Sequence, residues 1–187
     1  RLFTVDFSTF TNAGEFQIEV PGAGPSAPFR IGDDVYRDPF RTVTRAMYLW
    51  RCGTAVSGTH LGKTFSQGVC HTNDAWLDFV GSPGVRSNSV GGWHDAGDYN
   101  KYVVNAGVTI GCMLRAWEDF RPAIERVRLD LPERGGPLPE FLAEIKWELD
   151  WLLKMQAADG GVFCVVGGGS QSPPSADGAN RRYGPQT

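Results

Sequence analysis

The chain has 187 residues, of which 41% are hydrophobic and 21% are charged, and its formal net charge at pH 7 is −3. This composition is that of a globular protein with enough residues for one hydrophobic core. The mild acidity argues against nucleic acid or an anionic membrane as a partner, and no stretch approaches the roughly 18 apolar residues of a membrane span. The chain starts at Arg1 without a signal segment and is strand-like at once, so we expect a piece of a longer protein.

The first 30 residues are predicted to form strands. A short apolar run covers residues 2–7, and residues 16–20 alternate apolar and polar side chains as a half-buried strand does. A turn signal at residues 11–14 precedes the second run, and a segment rich in Pro and Gly at residues 21–25 ends it. Because two strands cannot bury a core alone, they are predicted to be the last hairpin of a β-sandwich.

Three helices are predicted in the remainder. The first begins near residue 34, the second covers residues 102–118, and the third begins at Pro139 and ends near Gln156. The second carries no charge over most of its length, which predicts burial on all sides. The apolar faces of the first and third helices consist of Phe40, Val43, Met47 and Trp50, and of Leu142, Ile145, Leu149 and Leu152, respectively.

Two segments are predicted to be loops. Residues 54–100 are rich in Gly, Ser and Thr, and their length favours a functional role. Residues 167–180, rich in Gly, Ser and Pro, are predicted to be a mobile loop. Long helices joined by such loops are typical of a helical array whose active site is built from loops.

Four residues in and beside the long loop could bind a metal: Cys52, Cys70, His71 and His94. Two thiolates and two imidazoles suit tetrahedral zinc, although the spacing is not that of a zinc finger. The alternatives are a Cys52–Cys70 disulfide, which suits a secreted protein, or free cysteines with solvated histidines. The two other cysteines are predicted to be small buried apolar side chains: Cys112 and Cys164.

The stretch GGWHDAGDYNKY at residues 91–102 contains two acids three residues apart, Asp95 and Asp98. In a helix or tight turn, side chains at this spacing point to the same side and can share a water or a cation. Gly97 between them permits a tight backbone and the approach of a substrate. Calcium needs six or more oxygens, and few other acids lie nearby. The remaining interpretations are a solvated turn, or a pair that positions and deprotonates an attacking water.

Three aromatic residues beside the acids favour a sugar site, since aromatic rings pack on the apolar faces of pyranose rings: Trp93, Tyr99 and Tyr102. In a binding module without catalysis, the same rings would hold the sugar and the acids would accept hydrogen bonds. Zinc-activated hydrolysis is disfavoured, because four protein ligands leave the metal no open position.

Three stretches of the sequence resemble segments of one family, and they follow one another along the chain in the same order as in that family. GGWHDAGDY at 91–99, followed by Lys101 and Tyr102, looks like the N-terminal signature of glycoside hydrolase family 9, the inverting cellulases. FRIGDDVYRD at 29–38 is similar to the junction, in one subgroup, between an immunoglobulin-like domain and the catalytic barrel. ELDWLLKMQ at 148–156, with DGGV at 159–162, is similar to the third barrel helix and its following turn.

The resemblance implies an all-α (α/α)6 barrel that cleaves β-1,4-glucan with inversion. Residues 1–30 are then the last strands of the immunoglobulin-like domain and a linker, and residues 31–187 are the N-terminal part of the barrel. By resemblance, Asp98 is the general base and Asp95 helps to hold the attacking water. The subgroup also carries a structural zinc, here on Cys52, Cys70, His71 and His94.

The resemblance also implies parts that the chain lacks. The family's general acid is a glutamate near the end of a longer catalytic domain, so we expect it outside this chain and expect the chain alone to be inactive. Glu140, Glu144 and Glu148 fall on a helix that resembles a structural one. Residues 163–166 depart from the family pattern. The resemblance allows calcium as a second ion, but it assigns the family's calcium sites to no particular residues here. We expect a secreted monomer that acts on β-glucan polysaccharide or oligosaccharide.

Overall fold

The computed structural model describes residue 2, residues 4–77, residues 80–167 and residues 182–183. The chain forms two compact units, Arg1–Phe40 and Arg41–Thr187. Its described part contains three helices and four small antiparallel sheets, so the all-α expectation is not confirmed. The predicted loop at 167–180 lies outside the described residues except for Gly167.

The first unit contains two short antiparallel pairs: β1 (Gly14–Phe16) with β4 (Phe29–Ile31), and β2 (Glu19–Val20) with β3 (Gly24–Pro25). The predicted strand at 16–20 is therefore divided in two, and Ile18 between them exchanges hydrogen bonds with Ser26. The predicted strand at 2–7 is wrong for its described residues, which are residue 2 and residues 4–7. The Phe7 ring packs instead on Phe29, with ring centroids 5.7 Å apart.

Helix α1 covers Arg37–Leu49, close to its predicted position. Its buried residues are Thr44 and Tyr48, whereas Val43 on the predicted apolar face is 66% exposed. Trp50, directly after the helix, is 42% exposed. The part of the predicted face that contains Val43, Met47 and Trp50 forms one wall of the pocket described below.

The predicted loop at 54–100 contains a β-hairpin. Strand β5 (Val56–His60) pairs along its whole length with β6 (Lys63–Gln67). The two connecting residues, Leu61 and Gly62, have φ values of 49° and 76°. Two left-handed residues are typical of the type I′ turn, which matches the twist of the flanking strands. The hairpin therefore returns the chain to its starting point and leaves Cys70 close to the end of α1.

Helix α2 covers Val103–Ile124, six residues beyond the predicted end, and bends at Phe120 ahead of Pro122. The predicted burial on all sides is wrong, since Val104 is 66% exposed and Val108 is 65% exposed. The predicted burial of the other cysteines is also wrong: Cys112 is exposed and Cys164 is half-buried.

Helix α3 covers Glu140–Lys154, as predicted, but it is rotated relative to the expected face. Leu149 is 39% exposed. The buried residues of α3 are Phe141, Glu144, Ile145, Glu148 and Trp151. Trp151 belongs to the core, which also contains Ala75, Ala106, Met155, Phe163 and Val166.

A three-stranded sheet completes the second unit, with β7 (Lys101–Tyr102) and β9 (Arg182–Tyr183) on either side of β8 (Val165–Gly167). Strand β7 runs directly into α2, so the sheet fixes the position at which the 91–102 stretch ends. Across the described residues, every helix is too short or too polar to traverse a membrane.

Candidate functional site

The four predicted metal ligands come together in the structure. One ligand atom from each of Cys52, Cys70, His71 and His94 lies within 4.8 Å of the others, and all four residues are buried. Nδ1 of His71 is 3.2 Å from Sγ of Cys52 and 3.2 Å from Nε2 of His94, which is 3.6 Å from Sγ of Cys70. A tetrahedral zinc with ordinary bond lengths places its ligands about 3.3–3.8 Å apart. No disulfide joins Cys52 to Cys70, and the donor set fits zinc.

Backbone pairing explains why residues 52 and 94 meet. The N–H of Cys52 donates to the Gly92 carbonyl (2.7 Å), and the N–H of His94 donates to the Trp50 carbonyl (2.9 Å). This short antiparallel bridge joins the end of α1 to the stretch that carries the acids. Gly92 has φ 77°, and a Cβ there would lie 2.7 Å from the Trp151 ring, so only glycine fits.

Hydrogen bonds prepare Cys70 as a ligand. The pKa of its thiol is lowered to about 6, chiefly by a hydrogen bond with Cys52. The Gln67 side chain and the Gly53 N–H also lower this pKa, whereas burial raises it. Cys70 is therefore a thiolate at pH 7, which is the form that binds metals.

The two acids have separate hydrogen-bond partners. Oδ1 of Asp95 accepts a hydrogen bond of 2.7 Å from Nδ2 of Asn105 on α2, and the Asp95 side chain is exposed. Asp98 is half-buried, and its Oδ2 accepts bonds from Nδ2 of Asn100 (2.8 Å) and from the Tyr102 hydroxyl (3.0 Å). Each carboxylate is thus held in one direction by neutral donors.

The tight backbone of this turn lies at a different residue from the one predicted. Tyr99, and not Gly97, adopts a left-handed conformation, with φ 54°. A Cβ at Gly97 would meet no atom within 4 Å, so the backbone there is open to an approaching molecule.

The three predicted sugar-binding aromatics are tied to other groups. Trp93 is 5% exposed, and its Nε1 donates to Glu144 (2.8 Å). The Tyr99 ring packs edge-on against His94 at 5.3 Å. An Asn100 hydrogen bond lowers the pKa of the Tyr102 hydroxyl, but burial and the Asp98 carboxylate raise it more. Tyr102 therefore remains protonated at neutral pH and continues to donate to Asp98.

A pocket of about 350 Å³ lies beside the acid turn. The exposed face of α1 forms one wall, and the first turns of α2 form another. Residues that reach the pocket include Val43, Met47, Trp50, Trp93, Asp95, Tyr102, Asn105 and Glu148. Two indoles line this pocket, those of Trp50 and Trp93, and the Trp50 indole is the more exposed. The sequence had placed Trp50 only on the apolar face of a helix.

A buried cation and an indole hold the stretch that precedes the acids. Nζ of Lys101, fully buried, pairs with Asp74 (3.0 Å) and donates to the Ser89 and Gly91 carbonyls at 2.7 and 2.9 Å. The Trp147 indole donates to the Gly92 carbonyl at 3.1 Å. Carbonyl groups that would otherwise be buried without partners are thereby satisfied, and the stretch is fixed.

Two glutamates on α3 reach the site, although nothing in the sequence indicated that they would lie there. Glu144 is fully buried and binds Arg51 (2.9 Å) as well as the Trp93 indole. Burial raises the pKa of Glu144, and Arg51 opposes this effect. Glu148, one turn further along, is 1% exposed and lies on the pocket wall. A helical spacing of four between two acids was visible in the sequence, but it is also typical of a solvated face.

Glu148 is a neutral acid at pH 7. Burial raises its pKa to about 8, although a hydrogen bond from the backbone N–H of Trp93 lowers it. Among the described residues, Oε2 of Glu148 is buried without a hydrogen-bond partner. An ionised carboxylate in this position would be costly, because no hydrogen bond offsets the desolvation of that oxygen.

We expect Glu148→Gln to stabilise the protein at high pH and to have little effect at pH 5. The native pKa lies near 8 and the ordinary value is 4.5, so the wild type loses stability as pH rises through this window. Glutamine cannot ionise and does not share this loss. Denaturant titrations of both proteins at pH 5, 7 and 8.5 measure the difference, and a difference that stays constant with pH would contradict the prediction.

Comparisons with known proteins identify relatives of this chain. The sequence model of Glycosyl hydrolase family 9 matches residues 36–186. Endoglucanase D of Acetivibrio thermocellus is 50% identical over 159 residues, which cover 85% of this chain and 25% of that protein. The xyloglucan-specific endo-beta-1,4-glucanase BoGH9A of Bacteroides ovatus is 33% identical over 166 residues, which cover 86% of this chain and 28% of that protein.

A solved structure matches the fold. The crystal structure of a Zn-binding triple mutant of GH family 9 endoglucanase J30 has a TM-score of 0.83 and 40% sequence identity, and the match covers 96% of this chain and 35% of that one. The chain spans about a quarter of the length of the curated relatives it matches. The family model and the relatives together show that the chain belongs to glycosyl hydrolase family 9.

Proposed function

We propose that the whole protein hydrolyses β-1,4-glucosidic bonds in cellulose or related β-glucans with inversion. The observation that carries this proposal is the Asp95–Asp98 turn at the edge of an open pocket. Asp98 acts as the general base that takes a proton from water, and Asp95 holds that water. Names of the relatives support the substrate class, since one is an endoglucanase and another a xyloglucan-specific β-1,4-glucanase.

The contacts of Asp98 suit a general base. Its partners Asn100 and Tyr102 are neutral donors, which orient the carboxylate without cancelling its charge. A base must be ionised and within hydrogen-bond reach of the water that it activates. The half-buried position of Asp98 leaves room for such a water, and the open backbone at Gly97 leaves room for the sugar.

The rest of the machinery lies outside the 187 residues in this proposal. Inversion requires an acid opposite the base to protonate the leaving oxygen, and we assign that role to a glutamate in the remaining part of a secreted, monomeric protein. The same part completes an (α/α)6 barrel, and residues 1–30 are the last strands and linker of an immunoglobulin-like domain. Trp93, Tyr99 and Tyr102 border the sugar site, and Trp50 adds an exposed ring.

The cluster of Cys52, Cys70, His71 and His94 holds a structural zinc in this proposal. All four ligand positions are filled by protein, so the ion would supply a cross-link between the end of α1, the β5–β6 hairpin and the acid turn. The Zn-binding GH family 9 mutant among the structural relatives supports the choice of metal.

The stereochemistry of the product tests the proposed reaction. We expect the full-length protein to release α-anomeric sugar first from a soluble β-1,4-glucan, because water attacks the face opposite the leaving group. Proton NMR during the first minutes of hydrolysis distinguishes the anomers before they equilibrate. Initial release of the β-anomer would contradict inversion, and binding without any hydrolysis would indicate a carbohydrate-binding module.

A further inference from the structure

The last residue of strand β6 reaches the Cys/His cluster from outside it. Nε2 of Gln67 lies 3.1 Å from Sγ of Cys70, at hydrogen-bond distance for an amide that donates to sulfur. Gln67 is half-buried, and it is paired across the hairpin with Val56, which is 3% exposed. Its neighbour Ser66 is exposed, as expected for a side chain on the opposite face of the strand.

We propose that Gln67 is a positioning residue of the Cys/His cluster, whose amide fixes the Cys70 sulfur and thereby sets how tightly the cluster binds a divalent metal. The inference rests on the proposed zinc site. Its specific content is that the hairpin contributes to the metal centre through Gln67 and not only through the chain reversal that delivers Cys70.

The contacts of the sulfur support this role. Sγ of Cys70 accepts a hydrogen bond from the Gln67 amide, and the backbone N–H of Gly53 also donates to it. Nε2 of His94, a fellow ligand, lies 3.6 Å away. Amide donors on a thiolate offset its negative charge and fix the direction of the lone pair that faces the metal. Groups that orient a ligand in this way typically contribute 10–100-fold to metal affinity.

Two substitutions separate the hydrogen bond from the volume of the side chain. Gln67→Glu keeps the shape but replaces the amide donor by a carboxylate, which repels the thiolate. Gln67→Ala removes the donor without adding charge. Ser66→Ala is the matched control, because it alters the adjacent residue on the exposed face of the same strand.

Metal affinity is the primary measurement. Each full-length protein is stripped of metal and titrated with zinc in competition with a chromophoric chelator at pH 7. We expect about 10-fold weaker binding for Gln67→Ala, up to about 100-fold weaker binding for Gln67→Glu, and no change for Ser66→Ala. Equal affinities in all four proteins would overturn the proposal.

A spectroscopic measurement excludes a merely structural effect. With Co²⁺ in place of zinc, the sulfur-to-metal charge-transfer band is expected to move to longer wavelength in Gln67→Ala, because the loss of the donor raises electron density on sulfur. An unchanged band would also overturn the proposal. A wild-type protein that binds neither metal would instead refute the zinc site itself, so the two failures are distinguishable.

Discussion

Replacement of Asp98 by alanine in the full-length protein is expected to lower the rate of β-glucan hydrolysis about 10²–10⁴-fold, the usual cost of losing a general base. Binding of the glucan should persist, because the pocket walls formed by α1 and α2 do not depend on this carboxylate. Initial rates of reducing-sugar release give the effect on turnover, and a binding titration with a cellooligosaccharide gives the effect on affinity.

Two further substitutions sharpen this test. Asp95→Ala should be severe but less complete, since Asp95 holds the water without taking its proton in the proposed scheme. Asp119→Ala is the control, because this acid lies on the exposed side of α2, where its ion pair with Arg115 contributes little. Near-normal turnover of the Asp98→Ala protein would exclude the assignment of the base.

Removal of the proposed zinc is expected to lower the melting temperature of the full-length protein before it lowers the intrinsic rate. An ion present at about 1,000 times its Kd stabilises the folded state by about 4.1 kcal/mol. Because Cys52 and His94 lie within a bridge that joins the end of α1 to the stretch before the acids, loss of the cross-link weakens this junction and lowers the stability of the fold. Thermal unfolding with and without a chelator measures the effect.

A ligand substitution provides the matched experiment. Cys52→Ser should reproduce the lowered melting temperature and abolish the effect of the chelator, whereas Cys112→Ser should change neither, since Cys112 is exposed on α2. Elemental analysis should find one zinc per wild-type chain. A Cys52–Cys70 disulfide in the intact protein, with no bound zinc, would refute the prediction.

Residue types in the sequence were sufficient to predict a candidate metal cluster. The ligand types of Cys52, Cys70, His71 and His94 indicated zinc, and the structure brings these four residues together. The helices α1 and α3 were predicted near their actual bounds, because their apolar periodicity is strong. The helices depend on a short periodicity and the candidate ligands on residue type, and a single sequence displays both signals directly.

Features that depend on distant partners could not be predicted. Glu144 is buried because Arg51, 93 positions earlier, pairs with it, and nothing in the helix itself specifies that partner. The hairpin at 56–67 lies in a polar segment without the apolar alternation that normally indicates a strand. Val104 and Val108 were predicted to be buried because the predicted helix carries no charge over most of its length, but no described residue covers them.

The hydrogen bonds that hold the stretch before the acids have a consequence for the order of folding. The Trp147 indole and the Lys154 ammonium reach the carbonyls of Gly92 and Val90 across 55 and 64 positions of sequence. Contacts between residues this far apart in sequence form only after the entropy cost of closing a long loop has been overcome. Helices α1 and α3 can form earlier from local interactions, so we expect the turn that carries Asp95 and Asp98 to reach its native geometry among the last parts of the chain.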